Sequence, residues 1–382
     1  MNEKSTAREP FVRVVRRDEL PMWRRFAIRI IAALLSLIVC ALFIFLVTRS
    51  NPASVYRSLV DGAIGTTRRT WSTLRDTAIL LSIALAITPA FKMRFWNIGA
   101  EGQILVGGIA TAAVMRYCGG LSPFLLFTAI IAASLAAGLV WGLIPAVFKA
   151  IWGTNETLFT LMMNYIAIQL TSFFSIVWEA KKGSGTIGTI NSDTKAGWIP
   201  TSFLESLFGK SNYSIIVLLV LVLTVAMYIY LKYTKHGYEI ALVGETENTA
   251  RYAGVNVRRV IIRTMALSGA ICGLTGFMMV SGSSHTISTS TAGGRGFTAI
   301  IVSWLSKFNP FIMIVVSFFL SFMSNGAIQI ASEFKLNESA SEVITGIILF
   351  FILGSEFFVN YRVILGRHHE RQPRSAGKEG QA

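Results

Sequence analysis

The sequence predicts an all-α integral membrane protein with about ten transmembrane helices, interrupted segments and two pseudo-related halves. Of its 382 residues, 53% are hydrophobic and 14% are charged, whereas an ordinary soluble domain carries about 25% charged residues. Windows such as residues 215–231 and 308–330 contain no acidic or basic side chain. They match the length of roughly 20 apolar residues that a spanning helix needs. Water is therefore not the main solvent of this chain.

The predicted membrane segments follow from the apolar runs and the charges that flank them. They lie at residues 26–48, 74–91, 96–116, 121–148, 158–178, 213–232, 260–282, 297–306, 309–330 and 343–361. An even number of crossings places both chain ends on one side. With both ends in the cytoplasm, most of the 35 lysines and arginines fall inside, as the positive-inside rule requires. Five arginines from Arg49 to Arg75 argue weakly against this orientation.

The polar stretches complete the organisation of the chain. Residues 1–25 form a basic cytoplasmic tail, because a retained first helix follows without a signal-peptide cleavage site. The transmembrane domain covers residues 26–362, with an external loop at 179–212 and a cytoplasmic loop at 233–259. Residues 363–382 have no apolar face, which predicts a disordered cytoplasmic tail.

Charge and cysteine content exclude two classes of function. The net charge of +15 comes from basic residues at helix ends and in the tails, so it predicts membrane topology and no nucleic-acid partner. The three cysteines lie far apart, in or beside apolar segments. Their spacing is not that of metal ligands, so the sequence predicts no metal site.

Two segments are interrupted by polar residues and glycines, and such segments line the transport sites of many membrane proteins. They lie at residues 94–108 and 291–307. The second ends in an apolar piece that is too short to cross a bilayer. Backbone groups freed by such breaks cannot face lipid, so they must be buried in protein or line a wet cavity.

The first interrupted segment carries a carboxylate and two amides, on Glu101, Asn97 and Gln103. An ionised side chain in a membrane normally has a partner or a cavity. Glu101 could therefore pair with Lys92 or Arg94 at the cytoplasmic interface, or it could line or gate a pathway. Both interpretations are open at this point.

A second polar cluster begins a helix and continues along one of its faces. Thr154 or Asn155 is the expected N-cap, and Glu156 lies in the first turn, where a negative charge is favourable. Thr160 and Asn164 share a face at positions i and i+4. Only Asn164, deeper in the segment, specifically suggests contact with an uncharged substrate that bears hydroxyl or amide groups.

Two remaining patterns concern packing and docking. Gly138 and Gly142, like Gly269 and Gly273, are spaced four residues apart, which allows two helices to approach closely. The polar, helix-compatible stretch 241–256 lies in the predicted cytoplasmic loop. It is equally compatible with a docking site for a partner and with a solvated linker.

Four motifs in order resemble one family. They are the cluster Asn97 to Gln103, the Asn155-Glu156 pair with residues 161–165, the loop 244–256 and residues 296–300. Over roughly residues 75–360 the chain is similar to the permease subunits of ABC importers for simple sugars, nucleosides and branched-chain amino acids. It looks most like the nucleoside-type branch.

The resemblance implies a set of partners. A second permease subunit, homologous or identical, would complete the pathway, two cytoplasmic ATP-binding subunits would drive it, and an extracytoplasmic substrate-binding protein would deliver the substrate. ATP and Mg would be bound by the partner ATPase. The sequence Gly209-Lys210-Ser211 is similar to the end of a phosphate loop, but Leu204 stands where that loop needs its first glycine. The chain would then be a transport subunit without an ATPase site of its own. It would lie in a bacterial cytoplasmic membrane.

The resemblance also assigns residues. A coupling helix at residues 247–252 would seat in the ATPase, a helix-in-groove contact. The coupling residues would be Glu247, Ala250, Arg251 and Gly254. The substrate pathway would include Asn97, Glu101, Gln103, Asn155, Glu156, Asn164, Phe297 and Thr298.

The substrate stays open between a nucleoside-like molecule, a sugar-like molecule and a flavin vitamin, because residues 303–310 depart from common family members. Phe297 could stack on a base or simply pack. The alternative function is an ion-coupled secondary transporter with Glu101 as the coupling residue. An embedded enzyme is disfavoured because no nucleophile elbow and no metal-spaced histidines occur in the sequence.

Overall fold

A computed structural model describes residues 12–17, 21–48, 52–200, 213–335 and 338–365, and most of these residues are helical. The chain divides into a small unit, Met1–Arg49 with Gly346–Ala382, and a large unit, Ser50–Thr345. The predicted disordered tail lies almost wholly outside the described residues.

The small unit joins the two ends of the chain. Helix α1 (Met22–Thr48) follows strand β1 (Val12–Arg16), and helix α13 (Glu338–Asn360), which begins in the large unit, leads into strand β2 (Tyr361–Leu365). The strands pair antiparallel, an addition to the all-α prediction. The pairing places residues 12–16 beside residues 361–365.

The large unit contains eleven further helices in its described residues. They are α2 (Pro52–Ile64), α3 (Thr67–Lys92), α4 (Ala100–Tyr117), α5 (Pro123–Trp152), α6 (Glu156–Val177), α7 (Ser214–Tyr233), α8 (Lys235–Glu245), α9 (Glu247–Tyr252), α10 (Val257–Met279), α11 (Arg295–Leu305) and α12 (Pro310–Glu333). A π-helical turn, Val280–Ser284, extends α10. Helix α2 was not predicted; it packs along α12.

All ten predicted membrane segments are helical, which confirms the fold class. In the part of the chain that the structure describes, eight helices are long and apolar enough to cross a membrane. The two interrupted segments are α4, which starts eight residues after α3 ends, and α11, which has 11 residues. The pseudo-related halves stay a prediction.

Helix α3 is the centre of the large unit. Every residue from Thr77 to Phe91 is buried, and a helix that is apolar all round belongs in a protein interior. It packs against α7, α10, α11 and α12. Of the helices in the two interrupted segments, α11 therefore packs directly on this buried central helix.

Glycines allow α4, α5 and α10 to touch backbone to backbone. A Cβ built on Gly107 of α4 would lie 2.5 Å from the Cα of Gly273 in α10, and one on Gly138 of α5 would collide with the carbonyl of Gly269. Gly142 also faces Gly269. The close approach that the glycine spacing predicted is therefore confirmed, and it joins these very helices to each other.

The described part of the predicted external loop, residues 179–200, packs on the π-helical turn. The ring of Trp198 stacks on His285 at 3.7 Å between centroids. The Ile190 N–H donates to the His285 carbonyl over 2.8 Å, and the Ile199 N–H donates to the Ser281 carbonyl over 3.1 Å. Burial lowers the pKa of the His285 imidazole, which favours the neutral form of the stacked ring. This loop closes that end of α10.

We expect Gly138→Ala to destabilise the protein, because the added methyl group has no room against α10. Overpacking of this kind costs about 1–3 kcal/mol, and the melting temperature in detergent should fall. The matched control is Gly346→Ala in α13, where no atom of the described residues lies within 4 Å of the added Cβ. Equal melting temperatures for the two variants would contradict the close packing.

Candidate functional site

Helix α4 begins inside the helical bundle rather than at its surface. After α3 ends, the chain turns back with Arg94 at φ 62 and with the Phe95 N–H donating to the Ala90 carbonyl over 2.9 Å. The first turn of α4 then contacts Asn164 of α6. Because Asn164 lies eight residues into α6, this contact is about 12 Å along that helix. The first interrupted segment is thus a true break within the membrane region.

Asn164 satisfies the backbone groups that the break leaves open. Its Nδ2 donates to the Ile98 carbonyl over 2.9 Å, and its Oδ1 accepts from the Gly102 N–H over 2.8 Å. The side chain is buried. Asn164 was expected to contact substrate, but here both ends of its amide are used within the protein. Its role in the pathway stays a prediction without geometric support in this conformation.

Asn97 and Gln103 tie the break to α10. The Asn97 Nδ2 donates to the Ser268 hydroxyl over 3.1 Å. Its Oδ1 accepts from the Gly99 N–H at 3.0 Å and from the Gln103 Nε2 at 3.4 Å. The Gln103 Oε1 is buried without a hydrogen-bond partner. These two predicted residues therefore lie together with Asn164 around one helix start.

Glu101 joins α4 to the start of α11. Its side chain is 93% buried, since only 7% of the residue is exposed, and its Oε1 accepts from the Gly296 N–H over 2.7 Å. A carboxylate at a helix N-terminus is stabilised by the unpaired N–H groups and by the helix dipole. Glu101 thus pairs with α11 and not with Lys92 or Arg94, and the interface-pairing interpretation was wrong.

The start of α11 has a second anchor. Arg295 lies 3.5 Å from the Asp76 carboxylate of α3, and Arg75 lies 3.0 Å from the same oxygen. Asn325 of α12 donates to the other Asp76 oxygen over 3.2 Å. Two acidic groups, Asp76 and Glu101, therefore hold the N-terminal end of this short helix between α3, α4 and α12.

Asn155 and Glu156 lie elsewhere, where α5 turns into α6. The Asn155 Oδ1 accepts from the Leu158 N–H over 3.1 Å, which confirms an N-cap at Asn155 rather than Thr154. The Glu156 carboxylate pairs with Lys149 over 2.8 Å. Their geometry accounts for them as a cap and an ion pair, and their place in the pathway stays a prediction.

Phe297 and Thr298 lie on the first turn of α11. Phe297 is exposed, while Thr298 is half-buried and its hydroxyl donates to the Gly294 carbonyl over 3.4 Å. At the other end of α11, Trp304 stacks on Trp96 at 5.8 Å between centroids. Of the predicted pathway residues on α4, α6 and α11, Phe297 is thus the exposed one.

The outer face of α6 carries functional candidates that the sequence did not single out. Met162, Tyr165 and Gln169 follow each other at helical spacing, and all three are exposed, Tyr165 by 64%. Lipid offers no hydrogen bonds to an amide or a phenol. This face is therefore typical of a wet pathway or a protein contact. The spacing of Tyr165 and Gln169 was visible in the sequence, but the face they occupy was not.

Helices α8 and α9 form a short platform on the ends of the long helices. Helix α9 covers the residues predicted for the coupling helix. Ala250 is fully buried in its base, Glu247 and Arg251 pair over 3.2 Å on its exposed side, and Gly254 ends it at φ 77. Tyr252, the last residue of α9, is 93% exposed.

The platform shares one apolar core with the turn that precedes α4. This core contains Ala90, Met93, Phe95, Ala146, Ala150, Ile240, Val243, Ala250, Val257, Val260, Ile261 and Met265. Gly244 of α8 lies directly against the Lys92 carbonyl. A displacement of α9 therefore acts on the same residues that set where α4 begins.

Comparisons with known proteins agree with this architecture. The family model described as the branched-chain amino acid transport system / permease component matches residues 70–353. The guanosine ABC transporter permease protein NupP of Bacillus subtilis is 30% identical, over 85% of this chain and 92% of its own length. The glucose ABC transporter permease protein TsgB13 of Haloferax volcanii is 29% identical, over 74% and 76%. The nucleoside ABC transporter permease protein NupB of Lactococcus lactis is 26% identical, over 79% and 84%.

We expect Asn164→Ala to lower the free energy of unfolding, because the Ile98 carbonyl and the Gly102 N–H both lose their partner. Each buried group left unsatisfied costs about 1–3 kcal/mol. The control is Gln169→Ala, which removes an exposed amide from the same helix. Thermal unfolding in detergent should show a lower midpoint for the first variant alone, and equal midpoints would refute the structural role of Asn164.

Proposed function

Since the chain belongs to the permease component family of branched-chain amino acid transport systems within the ABC transporters, we propose that it imports a nucleoside-like or sugar-like small molecule. Transport would proceed by alternating access, driven by separate ATP-binding subunits. The relatives whose names specify guanosine, nucleoside and glucose transport support this choice of substrate class. A flavin vitamin stays a further candidate.

The observation that carries the proposal is the common core of α9 and the turn before α4. Ala250, Met93 and Phe95 lie in that core. A motor that moves α9 would therefore shift the turn, and with it the hydrogen bonds at the start of α4. Interiors are close-packed and transmit strain, so the shift reaches α11 through Glu101 and Gly296.

The outer face of α6 is the proposed wall of the pathway, together with Phe297 on α11. An uncharged sugar ring offers hydroxyl groups to the amide of Gln169, and a base or sugar ring packs on the face of Tyr165. Both side chains are exposed. Asn97, Gln103 and Asn164 would act behind this wall by holding α4 and α6 together.

The partners follow from the two exposed surfaces. Cytoplasmic ATP-binding subunits, which hold ATP and Mg, would bind α9, and a second permease, identical or homologous, would face α6. An extracytoplasmic substrate-binding protein would dock at the opposite end of the helices, near the loop 179–200. In this proposal, both chain ends would lie in the cytoplasm of a bacterium, and the chain would be a transport subunit without its own ATPase site.

An ion-coupled transporter with Glu101 as the coupling residue is not favoured. The Glu101 carboxyl group is buried, and its Oε1 accepts the Gly296 N–H that begins α11. A coupling carboxylate must gain and lose a proton in each cycle, and that change would weaken this anchor. The relatives are permeases of ABC transporters.

We expect Tyr252→Ala to uncouple the transporter without unfolding it. Tyr252 is 93% exposed, so truncation removes no internal packing, whereas loss of an interface tyrosine often weakens binding by about tenfold or more. ATP-driven uptake and co-purification of the ATPase subunits should both fall. Tyr252→Phe, which keeps the ring, should retain both. Normal uptake by the alanine variant would exclude Tyr252 from the ATPase contact.

We expect Gln169→Leu to reduce uptake while the transporter still assembles. The substitution preserves size but removes the polar group that the pathway wall offers to the substrate, at a cost of about 1 kcal/mol or more. Uptake of labelled guanosine and of glucose by proteoliposomes containing the full transporter measures the effect. If the Gln169 side chain only faces lipid, Gln169→Leu should assemble as well as or better than the unchanged protein, and its uptake should stay the same. That result would contradict a role of Gln169 in the pathway.

A further inference from the structure

A groove between α3, α7 and α12 has no assigned role. Its volume is about 400 Å³. It is lined by Leu74, Thr77, Ala78, Leu81, Val217, Val220, Leu221, Ile314, Val315 and Phe318. The single hydroxyl in the lining, on Thr77, donates to the Thr73 carbonyl over 2.7 Å. The groove therefore presents only hydrocarbon to an occupant.

The groove has a buried floor and an exposed rim. Its floor is formed by buried residues of α3 and α7, such as Leu81 and Val220, while Leu221 and Val315 form an exposed rim. All three walls are helices long and apolar enough to cross a membrane. An opening between such helices faces the hydrocarbon of the bilayer, so its occupant comes from the lipid phase.

One end of the groove lies near an arginine. The Arg75 guanidinium lies 4.7 Å from the ring of Tyr213, which is one turn before the lining residue Val217. Arg75 and Arg295 share the single carboxylate of Asp76, so Asp76 alone does not neutralise both guanidinium groups. Helix α7 has 20 residues, so its length of about 30 Å is close to the thickness of the hydrocarbon core. Tyr213, which precedes it, therefore marks the boundary where lipid phosphates lie.

We propose that this groove binds one acyl chain of a bilayer phospholipid, whose phosphate lies at Arg75. The apolar lining excludes an extended peptide, whose backbone N–H and C=O groups would be left unsatisfied. The Arg75 guanidinium at this boundary matches a phosphate, because arginine suits phosphate geometry. The lipid would brace α7 against the central helix α3, and its binding does not depend on which solute the chain transports.

Native mass spectrometry of the full-length chain, purified in detergent and supplied with phosphatidylglycerol, tests the proposal. Leu221→Trp fills the groove from its rim. The matched control is Leu218→Trp, one turn earlier on α7, where the leucine is similarly exposed, 51% against 43% for Leu221, but does not line the groove. Each methylene displaced from an apolar site weakens binding about fourfold. Retained lipid should therefore fall about tenfold or more for Leu221→Trp and stay unchanged for Leu218→Trp.

A second variant tests the headgroup contact. Arg75→Gln keeps a polar side chain, removes the positive charge and leaves the groove itself intact. The amount of phosphatidylglycerol that the protein retains should therefore fall. Equal lipid retention by Leu221→Trp and Leu218→Trp would overturn the acyl-chain site. Loss of dimers in Leu221→Trp with unchanged lipid retention would instead assign the groove to a second copy of the chain and equally overturn the proposal.

Discussion

The constraint on which the structure depends is that α4 begins inside the membrane region. A helix start leaves backbone N–H groups without partners, and lipid cannot supply any. Here the protein supplies them: Asn164 bonds the backbone on both sides of the break, and Asn97 holds the turn to α10. The polar residues of this apolar chain are concentrated where the backbone needs them.

The same constraint explains how α11 is held. Its first turn also lies within the bundle, and its N–H groups meet the carboxylate of Glu101 from the first turn of α4. Two helix starts that would each be unstable in lipid thus stabilise one another. The glycine contacts among α4, α5 and α10 fix the backbone of α4 along its length, so the break is the part of α4 that can rearrange.

Much of this architecture could be predicted from the sequence. Hydrophobic runs located all ten segments, glycine spacing predicted close helix approach at the residues where α5 and α10 meet, and polar interruptions located both breaks. What the sequence could not supply was the rotation of each helix. Asn164 and Gln169 are both amides on α6, but five residues turn a helix by about 140°. Packing decides that one closes the break and the other is exposed. The pairing of β1 with β2 escaped prediction for a similar reason, because it joins segments more than three hundred residues apart.

Amide hydrogen exchange across the break tests the central claim most directly. Peptides covering residues 94–103, 292–298 and 247–252 would be followed in the reconstituted transporter, without nucleotide and with a non-hydrolysable ATP analogue. If α9 drives the break, the first two peptides are protected without nucleotide and exchange faster when the analogue is bound. The account would be contradicted if the 247–252 peptide responded to nucleotide while protection at 94–103 and 292–298 stayed the same.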